Sequence, residues 1–122
     1  MSAPLVLSYN LGPERAARIQ TMCLIQKLRF RTVRREEYGE PVGSLAGLLP
    51  ASGNRTSLDF SDEMLVLCNF TEPALNTFIL GFRKAGISPV HLKAVLTPTN
   101  AGWNSIQLHD ELKQEHAAMS GK

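Results

Sequence analysis

The chain has 122 residues, of which 43% are apolar and 20% charged, with a net charge of +2. That length suits one domain, residues 1–122, with a core that needs no metal or disulfide staple, and the composition excludes a disordered chain. Thirteen basic against eleven acidic residues leave too small an excess to point to nucleic acid.

No apolar run approaches the roughly 20 residues of a membrane span, so no membrane association is expected. The opening Met1-Ser2-Ala3-Pro4 has no basic segment ahead of Leu5-Val6-Leu7, so no secretory leader is expected either. Cys23 and Cys68 are far apart and lie among apolar neighbours, which reads as two reduced core thiols in a cytoplasmic protein. The absence of C-x-x-C removes a zinc ribbon or redox dithiol.

Leu5–Tyr9 is short, apolar and partly β-branched, and predicts a buried strand. Pro13 suits the first turn of a helix predicted over residues 13–28, with Ile19, Met22, Ile25 and Leu28 as its stripe and Leu24 widening it. Phe30–Tyr38 is charged on both faces and predicts an edge strand. Residues 39–61 hold four glycines and two prolines and form an irregular insert. Within it Ser44–Leu49 predicts one helical turn docking Leu45, Leu48 and Leu49, and Ala51–Thr56 a mobile loop.

Met64–Cys68 is the most continuously apolar run and predicts a central strand. Thr71 caps the next helix, Glu72 and Pro73 occupy its first turn, and Gly86 closes it. Leu75, Phe78, Ile79 and Phe82 are its apolar stripe. Val90–Thr97 alternates as a half-buried strand. Thr97-Pro98-Thr99-Asn100 is a turn, with Thr99 or Asn100 capping a last helix over residues 101–119. Leu108, Leu112 and Met119 form that helix's stripe, and Ile106 stands to one side.

Two β-α-β halves in tandem predict an α+β ferredoxin-like βαββαβ sandwich with an additional C-terminal helix. The first and third strands are expected side by side in the middle of the sheet and pointing the same way. The fourth is expected antiparallel.

The run Leu92-Lys93-Ala94-Val95-Leu96-Thr97-Pro98-Thr99-Asn100 with Trp103, followed by Leu108, Glu111, Leu112, Glu115 and His116, resembles the bacterial family called domain of unknown function 3783. The Met64–Leu67 strand and its helix also look like that family. The resemblance spans roughly residues 60–118. It implies a bacterial cytosolic protein of ferredoxin-like type, and neither a reaction nor a catalytic residue.

Two constellations are candidates for binding. Lys93, Thr97, Thr99, Asn100 and Trp103 surround the last turn, where an ammonium, two hydroxyls, an amide and helix N–H groups suit a carboxylate or phosphate. The alternative is a strand-turn-helix corner in which Trp103 pins the helix to the sheet. If the first and third strands end together, Asn10, Gly12, Asn69, Thr71 and His91 share one edge beneath two helix N-termini. The alternative there is asparagines serving as turn formers.

His109 and His116 lie seven residues apart. That is roughly 10.5 Å along a helix, too far to share one zinc, so they read as a solvated helix margin. Arg29, Arg31, Arg34 and Arg35 are offset by Glu36, Glu37 and Glu40, and the third strand lacks the aromatics of an RNA-binding sheet. No nucleophile or phosphate-loop motif is present.

The sequence therefore points to a non-catalytic module that senses a small anion or binds a protein partner, with no cofactor and no metal. A homodimer is one way to cover the second face of the sheet. The alternative is a small enzyme acting on an anionic substrate near Lys93 and Asn100, with His91 as base.

Overall fold

A computed structural model of the chain describes residues 3–120, with side chains through residue 117. The elements are β1 (Leu5–Tyr9), α1 (Pro13–Ile25), β2 (Arg29–Thr32), a 3-10 turn at Arg35–Glu37, α2 (Val42–Leu45), β3 (Met64–Cys68), α3 (Glu72–Ala85), β4 (Leu92–Val95), a 3-10 turn at Asn100–Gly102 and α4 (Ser105–Ser120). The predicted positions of Met119 on the last stripe lie outside the described side chains.

The four strands form one sheet in the order β2-β1-β3-β4. The most apolar strands, β1 and β3, are central, and all five residues of each are buried. Their direction corrects the expectation. β1 and β3 are antiparallel, with Leu5 opposite Cys68 and Tyr9 opposite Met64. β1 pairs with β2 in parallel, and β3 with β4 in parallel. Each β-α-β half is therefore unsplit, unlike the ferredoxin-like order, and β4 follows β3 rather than opposing it.

The link from α1 to β2 gives a physical reason for the first half. Lys27 takes a left-handed φ of 63°, and the Leu28 N–H turns back to the Cys23 carbonyl at 2.8 Å. Three residues separate helix from strand, so β2 lands beside β1, where the Arg29 N–H meets the Pro4 carbonyl at 2.8 Å. The same turn ends α1 before residue 28. Its buried stripe is Ile19, Met22 and Cys23, and it leaves Leu24 and Ile25 70% and 77% exposed. Buried Leu28 reaches the core from the loop.

The period-2 alternation of the central strands builds two cores. Val6, Leu65 and Leu67 face α1 and α3, where Ile19, Met22, Phe78 and Phe82 cover them. Leu7, Tyr9, Met64 and Val66 face the opposite way, against Tyr38, Val42, Leu45, Ile106 and Leu108. The second face is thus covered by this chain's own insert together with α4. Ile106 is part of that cover rather than off to the side.

Other boundaries moved for local reasons. β2 stops at Thr32 because the Glu37 carboxylate accepts the Arg34 N–H at 3.0 Å and closes a 3-10 turn. The insert's helical turn is Val42–Leu45, ended by Gly47 at a φ of 82°. Leu45 docks, whereas Leu48 and Leu49 are exposed. Within the expected mobile loop, the Glu40 carboxylate accepts the Ser52 and Gly53 N–H groups at 2.8 and 2.7 Å. These bonds hold its carboxyl below the ordinary glutamate value.

As the sequence predicts, Thr71 caps α3 by accepting the Ala74 N–H at 3.2 Å, and Gly86 closes it in the left-handed region at a φ of 69°. The last helix starts four residues later than predicted. Its cap is Asn104, whose side chain accepts the Gln107 N–H while Gln107 accepts the Asn104 N–H, both at 2.9 Å. Asn104→Ala removes one half of this reciprocal pair. Chemical denaturation should show a loss of about 1 kcal/mol with an unchanged denaturant slope.

Candidate functional site

The insert and the start of α4 are fastened together. Pro41 bridges Asn104, the Val42 N–H donates to the Trp103 carbonyl at 2.7 Å, and the Ser105 N–H donates to the Tyr38 carbonyl at 3.2 Å. Close packing completes the joint at Gly43, where a β-carbon would lie 3.0 Å from the Ala101 carbonyl oxygen and 3.1 Å from the Ala101 methyl.

These contacts set two segments, Ala46–Leu48 and Thr97–Ala101, as facing walls of a half-open cleft of about 600 Å³. Its floor is Cys68 and Leu96, at the carboxyl ends of β3 and β4. Arg29 and Asn69 are the strongly polar groups on a largely apolar lining. The Arg29 guanidinium donates from Nε and Nη2 to the Ala3 carbonyl at 3.1 and 2.9 Å, which fixes its plane. Burial pushes the Cys68 thiol up to about 11, so it is a neutral wall and no thiolate nucleophile. Cys23, on the buried face of α1, is pushed up to about 12 by burial.

The first predicted constellation is partly assembled. Lys93, Thr97, Thr99, Asn100 and Trp103 all line one groove of about 300 Å³ along β4, and Glu111 and Glu115 line it too. Its polar groups are largely engaged in shaping the corner. Asn100 Oδ1 accepts the Thr97 N–H at 2.8 Å, Thr97 Oγ1 accepts the Asn100 N–H at 3.2 Å, and Asn100 Nδ2 donates to the Val95 carbonyl at 3.1 Å. The Lys93 ammonium donates to the Val90 carbonyl. Lys93 pairs with Leu65 and so belongs to the α3 side of the sheet, while Trp103 packs on the opposite core. Burial lowers the Lys93 pKa below its ordinary value.

The second constellation is dispersed. With β1 and β3 antiparallel, Asn10 and Asn69 lie at opposite ends of the sheet, roughly 20 Å apart at about 3.4 Å per residue. Thr71 and its helix start beside Asn69, whereas Gly12 follows Asn10. His91, at the start of β4, lies at the Asn10 end, its ring centroid 6.0 Å from that of His116. Both asparagines hold positive φ, 62° and 63°, and serve as turn formers.

The Asn10 end carries a polar and aromatic stack that sequence reading missed. Phe60 stacks on His109 at 4.0 Å and on Tyr38 at 4.9 Å between centroids. His109 is 8% exposed, not a solvated margin. Its Nε2 lies 2.8 Å from the Asp62 carboxylate. Asn10 Nδ2 donates to the Phe60 and Asp62 carbonyls at 2.9 and 3.0 Å, and the Tyr9 and Ser105 hydroxyls meet at 2.8 Å. Burial raises the Tyr9 and Tyr38 pKa values. The sequence signal was the Phe60-Ser61-Asp62 segment itself, an aromatic and a carboxylate at the end of a polar insert. Among the described residues no group of three or more His, Cys, Asp or Glu could hold a metal ion, and no helix is long and apolar enough to cross a membrane.

Residues 63–119 match the family model described as Domain of unknown function (DUF3783). That match covers β3 through α4 and supplies one wall and the floor of the cleft. Arg29 and the Ala46–Leu48 wall lie outside it. No curated protein and no solved structure matches the chain.

Gly43→Ala places a methyl 2.9 Å from Leu49 Cδ1 and 3.0 Å from the Ala101 carbonyl oxygen, so calorimetry should show destabilisation of about 1–3 kcal/mol. The hydrogen bond from His109, with the charge of Lys113, lowers the Asp62 pKa. A carboxylate lowered in the folded state stabilises above its unfolded value and loses that contribution as pH falls through the folded one. Asp62→Ala should therefore cost about 1 kcal/mol at pH 7, and the gap to the parent should be narrower at about pH 3. Urea titrations at the two pH values measure it.

Proposed function

We propose that the protein is a bacterial, cytoplasmic, non-catalytic binding module that takes a small amphipathic anion in the cleft between the Ala46–Leu48 segment and the Thr97–Ala101 corner. One observation carries this reading: an apolar cleft of about 600 Å³ whose lining includes a single cationic side chain, Arg29. Pockets of this size suit small molecules, and a few fixed polar groups on an apolar wall orient them. The ligand class that matches is an apolar body with one carboxylate.

The lining holds no histidine, lysine or carboxylate to act as a base. Its one thiol is kept neutral by burial. Two free, buried cysteines accord with a reducing compartment. The bridge between Pro41 and Asn104 holds the walls before a ligand arrives, which lowers the ordering cost of binding.

The alternative reading, an enzyme acting on an anion near Lys93 and Asn100, has the lowered Lys93 pKa in its favour. Against it, Asn100 and Thr97 are spent on each other, and Glu111 and Glu115 would repel an anionic substrate in that groove.

Fluorescence of 1-anilinonaphthalene-8-sulfonate tests the cleft. The dye should bind and be displaced by octanoate, with octanol about tenfold weaker, the worth of one charge-assisted contact of about 1.4 kcal/mol. Leu48 is 66% exposed, so Leu48→Asp should abolish displacement without loss of melting temperature. Lys93→Met should leave octanoate affinity within about twofold. Equal potency of octanoate and octanol, or unchanged binding to Leu48→Asp, would remove the reading. Loss of binding in Lys93→Met would favour the enzyme site.

A further inference from the structure

The sheet has two edges, and they are treated differently. At β4 the outward carbonyl of Val95 is taken by Asn100 Nδ2 at 3.1 Å, so the chain's own corner plugs that edge. At β2 nothing comparable occurs among the described residues. The Arg29 N–H donates to Pro4 and the Val33 N–H to Ser8, at 2.8 and 2.9 Å. Alternate residues of a strand direct their backbone groups to opposite sides. Arg29, Arg31 and Val33 therefore face β1, and the N–H and C=O groups of Phe30 and Thr32 face outward.

Beside this edge runs an open groove of about 580 Å³. Its two sides differ in chemistry. On the α1 side lie Leu24, Leu28 and Phe30. On the α2 side lie Arg29, Arg31 and Leu45. Two arginines and no carboxylate line it. Arg31 is paired with Glu37 and also donates to the Leu45 carbonyl, whereas Arg29 has no acidic partner among the described residues.

We infer that β2 accepts an added strand from a protein partner: an extended segment that alternates apolar and acidic residues. Backbone pairing to Phe30 and Thr32 would supply affinity. The period of two would place apolar side chains against Leu24, Leu28 and Phe30 and acidic ones against Arg29 and Arg31. A second copy of this chain is disfavoured at the same place, because two such basic edges repel. This surface adjoins the octanoate cleft and shares Arg29, Ala46 and Gly47 with it, whereas the outward amides of Phe30 and Thr32 belong to the edge alone.

The probe is an acetylated hexapeptide alternating valine and glutamate, titrated into the isotopically labelled full chain and followed by amide hydrogen exchange. The expected result is at least about tenfold slower exchange at the Phe30 and Thr32 amides, with binding weakened by salt. Thr32→Pro removes an outward N–H that takes no part in the β1 ladder, and Leu24→Glu charges an exposed apolar position. Each should weaken binding at least about tenfold with melting temperature retained; if Thr32→Pro fails to fold, Leu24→Glu carries the test alone. Equal binding of a peptide with the same residues in blocks, or of one N-methylated at alternate residues, would overturn the inference. Protection of Phe30 and Thr32 on concentrating the protein without peptide would also overturn it, in favour of self-pairing. Octanoate should leave both amides unprotected, so failure of the cleft and failure of the edge are read separately.

Discussion

Leu5 stands opposite Cys68 and Tyr9 opposite Met64, and this antiparallel seam between the two most buried strands governs the rest of the molecule. Each central strand carries its own parallel neighbour through a crossover helix. Because the seam reverses direction, the carboxyl ends of β1 and β2 lie at one end of the sheet and those of β3 and β4 at the other. Helices α1 and α3 still pack on the same face, so a single apolar layer of Ile19, Met22, Phe78 and Phe82 closes over both halves.

The two ends then acquire opposite characters. At the Tyr9 end, rings and polar groups are stacked and satisfied: Tyr38 on Phe60, Phe60 on His109, His109 against Asp62. Stacking of this kind rigidifies, and among the described residues no buried side-chain nitrogen or oxygen is left without a hydrogen-bond partner. At the Cys68 end the insert stops short of the sheet's rim. Gly47 turns the chain away, Leu48 stays exposed, and the cleft is left open. The joint at Gly43 and Ala101 connects these regimes, since it docks the insert on the corner whose far side is the cleft wall.

Asn100 illustrates how one side chain can look like a binding group and be a structural one. Its amide and carbonyl oxygen close the corner and plug the β4 edge at once. Lys93 is similar, its ammonium turned to a backbone carbonyl under α3. A lysine, two threonines and an asparagine within eight positions is a chemical opportunity in sequence, but their hydrogen bonds are largely spent within the corner before any ligand is considered.

Much of the local structure was legible from the chain alone. The apolar runs at Val6 and Val66 mark central strands because only a two-sided core tolerates unbroken hydrophobicity, and the Thr71 cap and Gly86 stop follow from orphan backbone groups and the freedom of glycine at positive φ. Strand direction was not legible, because the pattern of apolar residues reads identically in a parallel or an antiparallel pair. That choice lies in long-range packing and in the three-residue link before Arg29. It decided that Asn10 and Asn69 part company, that His109 is buried beneath Phe60, and that Arg29, read in sequence as one member of a balanced basic run, stands at an apolar cleft.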